Sequence, residues 1–404
     1  MEILNNAIHI FFVISIIGIL FTWVYFILFM SRSLSKSPML SKFIQNKNKK
    51  IKFPKISIIL PARNEEQYIK QCIDSLSSLN YPDYEIILVN DDSSDKTLEL
   101  MQNSVHKFKN IKVTSTPKRP DGWMGKTWAC YTGYLESSGD LLLFTDADTI
   151  HSRNLMSISV QYLLEKNLDA ITIVPKLICK DLFTKITLPL FTIFLHTRFS
   201  PLKVNDPTSK VGYFFGSYFI ISRNIYEKIG THESVKNEII EDGALGRKVK
   251  DNKFQMKMIR GEEFIDAVWA RNAKELLNSI QRLVIPLFKE SKINAVSITL
   301  FLFFVLLFPY FLLSYSIYTI YFSSDLLYLF VTFVTISVII LQFVTNIFHS
   351  PKTLFLNPLY SLGSPVGSFI IVLSFITGII ISGTSGIVNW RDRKYVISSS
   401  QKII

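Results

Sequence analysis

The residues Leu141-Leu142-Leu143-Phe144-Thr145-Asp146-Ala147-Asp148 carry a short apolar run straight into two carboxylates one residue apart. Four consecutive apolar residues have the length and character of a short, fully buried strand. Acids at the end of such a strand stand where open α/β sheets bind ligands, outside the carboxyl ends of their strands. Upstream runs have the same form. Residues 56–60 (ISIIL) are closed by Pro61 and followed by Arg63-Asn64-Glu65; residues 85–89 (EIILV) are followed by Asn90-Asp91-Asp92; residues 111–114 make a third run. Residues 65–77, 97–108 and 128–136 have helical spacing between them. Strands alternating with helices predict an α/β fold: a Rossmann-like, mostly parallel sheet covered on both faces. Any one polar cluster could be turn chemistry, since Asp and Asn favour turns and caps. Three on one edge point to a binding site.

The rest of the chain is greasier. The 404 residues are 49% hydrophobic with a formal charge of +12. The apolar excess gathers in residues 8–30, 295–322, 326–348 and about 366–388, each of bilayer-spanning length. The first lacks a small-residue cleavage site, which makes it an anchor rather than a removed signal. The organisation expected is an anchor over 1–31, a basic linker over 32–53, the α/β domain over 54–270, an interfacial amphipathic helix over 271–290, membrane helices over 291–390 and a basic tail over 391–404. Arg32, Lys36, Lys42, Lys47, Lys49, Lys50, Lys52 and Lys55 follow the first span. Positive segments stay on the cytoplasmic side, so the α/β domain of a multi-pass plasma-membrane protein faces the cytosol. Three further spans would then leave Arg391, Arg393 and Lys394 on the far side. Either one segment does not fully cross, or the short tail tolerates its charge. Cys72, Cys130 and Cys179 have no paired spacing and read as packing residues. No basic stripe with interleaved aromatics runs through the α/β part, which argues against a nucleic-acid partner. The sequence leaves the oligomeric state open.

Neither GxxxxGK[ST] nor GxGxxG is present. An acidic edge repels a diphosphate unless a divalent cation lies between them. Asp146 and Asp148 could supply oxygen ligands to Mg²⁺ or Mn²⁺, with substrate phosphates and water completing the shell.

Four blocks, ISIILPARNEE (56–66), EIILVNDDSSDKT (85–97), LLLFTDADT (141–149) and IIEDGALGRKVK (239–250), resemble in order and spacing the family 2 glycosyltransferases of GT-A fold, over roughly residues 54–259. DGWMGKTWA (121–129) and GTHESVKNEIIED (230–242) resemble the membrane-anchored branch that glycosylates lipids such as carotenoids and hopanoids. The resemblance implies an inverting, metal-dependent and non-processive transfer from a nucleotide-sugar, with UDP favoured, to a membrane lipid acceptor. By position it makes Asp242 the catalytic base, Asp146 and Asp148 the metal- and donor-binding pair, and Asp91 the uracil contact. Pro61, Ala62 and Glu65 fall where the first block meets the nucleotide. Asp92 and Thr231 stand where glycine is usual. The QxxRW motif of processive synthases is absent at Gln281-Arg282-Leu283.

Other residues have two readings. Lys126 is a diphosphate partner or a surface lysine. Trp123 and Trp128 pack or face a sugar, and His232 touches the acceptor or is a satisfied core residue. Residues 271–288 carry an apolar stripe at helical spacing, and 182–199 is similar but interrupted by Pro189; both suit helices lying at a membrane interface. Two rival functions remain: sugar transfer to a polyprenyl phosphate, and a catalytically inactive, membrane-tethered sugar-nucleotide-binding module.

Overall fold

The computed structural model describes residues 2–43, 52–323, 326–384, 387–390 and 393–396. Lys47, Lys49, Lys50 and Arg391 of the basic segments lie outside the described residues. The strands are β1 (Ile56–Ala62), β2 (Tyr84–Asn90), β3 (Ile111–Ser115), β4 (Leu141–Phe144), β5 (Thr149–His151), β6 (Ala170–Val174), β7 (Lys176–Cys179), β8 (Phe219–Ser222), β9 (Met256–Arg260), β10 (Ile265–Ala270), β11 (Ile387–Trp390) and β12 (Arg393–Val396). A seven-stranded sheet has the order β3-β2-β1-β4-β8-β6-β9. The first four strands are mutually parallel, and β8 alone runs antiparallel to its neighbours.

Side chains alternate across this sheet as a pleat requires. Ile58, Leu60, Leu143 and Ile220 enter one core layer, and Ile59, Leu142, Phe144 and Phe219 the other. Burial on both faces explains why these strands read as unbroken apolar runs.

Pro61 does not end β1, which continues through Ala62. Ile59 O accepts from Thr145 N, so by alternation the Pro61 nitrogen faces the β4 side. There β4 has already ended at Phe144, and no ladder bond is lost. Two helices are shorter than expected, Ile69–Ser77 and Thr97–Val105; the third starts earlier, Gly125–Leu135. A smaller sheet of order β5-β10-β7 lies beside the first. Because β5 follows β4 almost directly, Asp146 and Asp148 occupy the junction of the two sheets.

Three described helices are long and apolar enough to cross a membrane: Ala7–Lys36, Leu326–Thr353 and Pro358–Gly383. The expected span 295–322 is not one helix. Lys292–Leu306 and Phe308–Phe322 meet at a 48° bend, where Pro309 cannot donate into the preceding turn. Helix Leu182–Phe199 is continuous through Pro189, which corrects the expected interruption. Nor is it superficial: Leu188, Leu190, Phe191 and Ile193 are buried in one core with Trp23, Leu302 and Val338 from the apolar helices.

Arg260 at the end of β9 seats the α/β domain on the helices. It pairs with Glu262 (2.8 Å) and donates to Leu34 O (3.2 Å) and Lys352 O (2.9 Å). The segment from Lys352 onward starts against the domain and ends against it, because Arg393 contacts Asp91. Between these points helix Ser364–Thr384 packs along Leu182–Phe199 and Ala273–Glu290. A Cβ on Gly367 would lie 2.4 Å from Ile186 O, so only glycine admits this approach.

Candidate active site

The site is built where two helix starts meet the end of β4. Lys126 sits in the first turn of Gly125–Leu135, where a cation opposes the helix dipole. Its position is explained by its partners: Nζ lies 2.7 Å from Asp146 Oδ1 and 2.8 Å from Glu241 Oε1. Burial works against the ammonium, but Asp146, Glu241 and Asp242 outweigh it and hold the Lys126 pKa well above its usual value. Glu241 and Asp242 open helix Glu241–Asp251, the favourable end for acids. Gly243 N donates to Asp242 Oδ1 at 2.8 Å. Burial first, and then the Glu241 carboxylate, push the Asp242 carboxyl up to about 7 against the pull of Lys126.

Gly216 completes the cluster. A Cβ there would stand 2.8 Å from Asp242 Oδ2, 2.9 Å from Lys126 Nζ and 3.2 Å from Asp146 Oδ2. Gly216→Ala is therefore expected to push these groups apart and lower turnover by up to about 10²-fold, with the fold retained. Steady-state kinetics beside thermal melting checks this; unchanged kcat would remove the cluster from the reaction.

Asp146 and Asp148 fit a divalent ion of the kind that leaves much of its shell to substrate. Among the described residues no group of three or more His, Cys, Asp or Glu forms a metal cage. Mg²⁺ commonly takes only one or two carboxylates plus phosphates and water. Lys126 engages Asp146 Oδ1, and Asp146 and Asp148 are the residues that would hold the ion.

The remaining expected residues line the same space. Pro61, Ala62, Glu65, Asp91, Lys126, Asp146, Asp148 and Asp242 all border one cavity of about 570 Å³. Glu65 is 6% exposed and its carboxylate is held by Arg271 at 2.5 Å, just past β10. Arg271 opens the stretch 271–288, whose apolar stripe carries no sign of this contact. Asp91 accepts from Arg393 at 2.5 Å, a partner 302 positions away with no local signal. Asp92 and Thr231, the two departures from glycine, have φ of 52° and 55°, so both occupy left-handed backbone. His232 is a core residue: the Tyr226 hydroxyl lies 2.6 Å from Nδ1, and burial holds the ring down to about 3, hence neutral. Trp123 and Trp128 pack edge-to-face at 5.0 Å, with Trp128 Nε1 donating to Pro117 O.

A mostly parallel sheet, covered on both faces, with an acidic pair at the carboxyl end of a central strand and a small second sheet beside it, is the GT-A architecture. Residues 57–230 match the model of Glycosyl transferase family 2, and the chain carries a family 2 glycosyltransferase domain. Probable glycosyltransferase YdaM of Bacillus subtilis is 41% identical over 97 residues, 24% of this chain and 23% of that protein. A 4,4'-diaponeurosporenoate glycosyltransferase of Staphylococcus haemolyticus is 26% identical over 214 residues, 52% of this chain and 55% of that one. The chain thus spans about half or less of the length of these curated relatives. Among solved structures, a mannosyltransferase from Pyrobaculum calidifontis in complex with GDP-Man and Mn²⁺ aligns with TM-score 0.52 and 15% identity, over 94% of this chain and 98% of that one. That likeness supports the fold.

Proposed function

We propose that the protein transfers a sugar from a nucleotide-sugar, with UDP the favoured nucleotide, to a membrane lipid, by single inverting displacement and with a divalent cation. The observation that carries this reading is the lining of one cavity. It joins Asp146, Asp148, Lys126 and Asp242 to an apolar wall that includes Phe194, Phe301, Leu302 and Phe375. A soluble acceptor gains nothing from such a wall, whereas an acyl or isoprenoid chain buries its apolar surface there, at about 25 cal/mol per Å².

Each group then has a task. Asp242, with its raised pKa, takes the proton of an acceptor hydroxyl as that oxygen attacks the anomeric carbon. Lys126 faces the departing diphosphate. A divalent ion held by Asp146 and Asp148, when bound, would neutralise the phosphate charge. Asp91 would meet the nucleobase. The α/β domain stands on the cytosolic side with Lys36 and Lys42, and the contact of Arg393 with Asp91 supports the same side for the tail. One segment of the apolar tail then does not fully cross, and helix Ser364–Thr384 is the segment that returns to the domain.

A second reading is an acceptor lipid phosphate. Arg198 and Arg282 line the same cavity and suit an anionic head. A phosphate attacks already ionised and needs no base.

The test uses purified full-length protein in nanodiscs, labelled UDP-sugars and extracted membrane lipid, with and without EDTA. Expected are a labelled lipid, inverted anomeric configuration by NMR, and loss of turnover with EDTA. No metal-dependent turnover with any nucleotide-sugar would favour a membrane-tethered binding module instead.

A further inference from the structure

The C-terminal hairpin of β11 and β12 reaches back from the apolar helices to the carboxyl edge of the main sheet. There Arg393 Nη1 donates to Asp91 Oδ2 at 2.5 Å, while Nη2 lies 3.4 Å from Asp91 O and 3.3 Å from Asp92 Oδ2. The other Asp91 oxygen, Oδ1, accepts from Thr116 Oγ1 at 3.4 Å. Arg63 binds the same turn from β1, donating to Asp91 O at 2.7 Å and to Asp92. Both carboxylate oxygens of Asp91 are therefore engaged, and the residue is 4% exposed. In this arrangement Arg393 holds the Asp91 oxygen that a nucleobase N–H would compete for.

Among the described residues β11 and β12 pair only with each other, not with either larger sheet. A lone two-stranded hairpin is marginally stable in water. Asp92, its second anchor, has a side chain 80% exposed, so water screens that contact. The part-buried Arg393–Asp91 pair ties the hairpin to this edge, and β11 also touches helix Ala273–Glu290; a ligand that competes for Asp91 breaks that pair.

We propose that the hairpin gates the donor end of the site: Arg393 occupies Asp91 in the donor-free protein, and an incoming nucleoside diphosphate displaces it. This rests on reading the cavity as a nucleotide-sugar site. The gate makes donor affinity the difference between a base–Asp91 contact and the Arg393–Asp91 pair it replaces, so losing the arginine tightens binding.

Titration calorimetry of the full-length protein in nanodiscs with UDP and Mn²⁺ tests this on wild type, Arg393→Ala and Arg393→Lys. Arg393→Ala is expected to bind UDP roughly tenfold tighter, as removing a competing charged hydrogen bond allows. Arg393→Lys, which keeps the charge but not the fork, falls between it and wild type. In wild type, saturating UDP and Mn²⁺ should also speed tryptic cleavage after Arg393, because the released strand becomes accessible. Equal or weaker UDP binding by Arg393→Ala, or cleavage indifferent to UDP, overturns the gate while leaving the donor site standing. If neither wild type nor Arg393→Ala binds UDP or GDP, the nucleotide reading falls and the gate with it.

Discussion

Asp242→Asn is expected to lower sugar transfer by roughly 10²–10⁴-fold, the usual worth of a positioned general base. The substitution keeps the shape of the side chain and its place at the helix start, and it removes a carboxylate crowded by Glu241. Melting temperature should therefore hold or rise while kcat falls. The pH profile gives an independent reading. In the protein the Asp242 carboxyl lies near 7, raised by burial and by Glu241 above its ordinary 3.8. A base works when deprotonated, so the rate should climb with pH and level off above about 7; this limb should vanish in Asp242→Asn. A divalent ion at Asp146 and Asp148 adds positive charge nearby and moves the limb to lower pH. The stability effect has the opposite sign. A group whose folded pKa is raised favours the fold while protonated, and that contribution is lost as pH rises through the folded value. The melting advantage of Asp242→Asn should accordingly be largest on the alkaline side. Full turnover by Asp242→Asn would sink the base assignment and favour the acceptor that arrives ionised.

Removing the proposed metal ligands should have an effect of similar size. A Lewis acid on a departing diphosphate supplies several kcal/mol of transition-state stabilisation, about 10³-fold or more in rate. Chelation, Asp148→Ala and Asp146→Ala are each expected to approach that loss. The two variants should differ in one respect. Asp146→Ala also strips Lys126 of its 2.7 Å partner and leaves Glu241 alone to hold it. The cluster around Asp242 should then rearrange, and the acid limb of the pH profile should move in Asp146→Ala more than in Asp148→Ala. Mn²⁺ binding followed by electron paramagnetic resonance, with and without UDP, separates loss of the ion from loss of turnover. A protein that transfers sugar at full rate in EDTA would exclude this role for the pair, and Lys126 would be the cation facing the diphosphate.

The parts of this molecule legible in its sequence are those set by neighbours along the chain. Unbroken apolar runs such as 56–60 and 141–144 can be satisfied only by strands buried on both faces, and the polar residues after them can lie only at a strand end. Asp91, Asp146 and Asp148 followed from that. Asp92 and Thr231 stand where the resemblance expects glycine, and both have the positive φ that glycine adopts most readily.

What the chain could not show locally was decided by topology. The Lys126 ammonium lies between Asp146 and Glu241 because two helix starts converge on the end of β4. Arg271 reaches Glu65, and Arg393 reaches Asp91, across 206 and 302 positions. Residues 366–388 have spanning hydropathy, but only the tertiary structure shows that helix Ser364–Thr384 packs along Leu182–Phe199 and Ala273–Glu290. Sequence pattern reports which faces of an element avoid water; it carries no record of which distant charge lies opposite. Ion pairs gain strength only where folding removes the water between them, and that happens after the elements are in place.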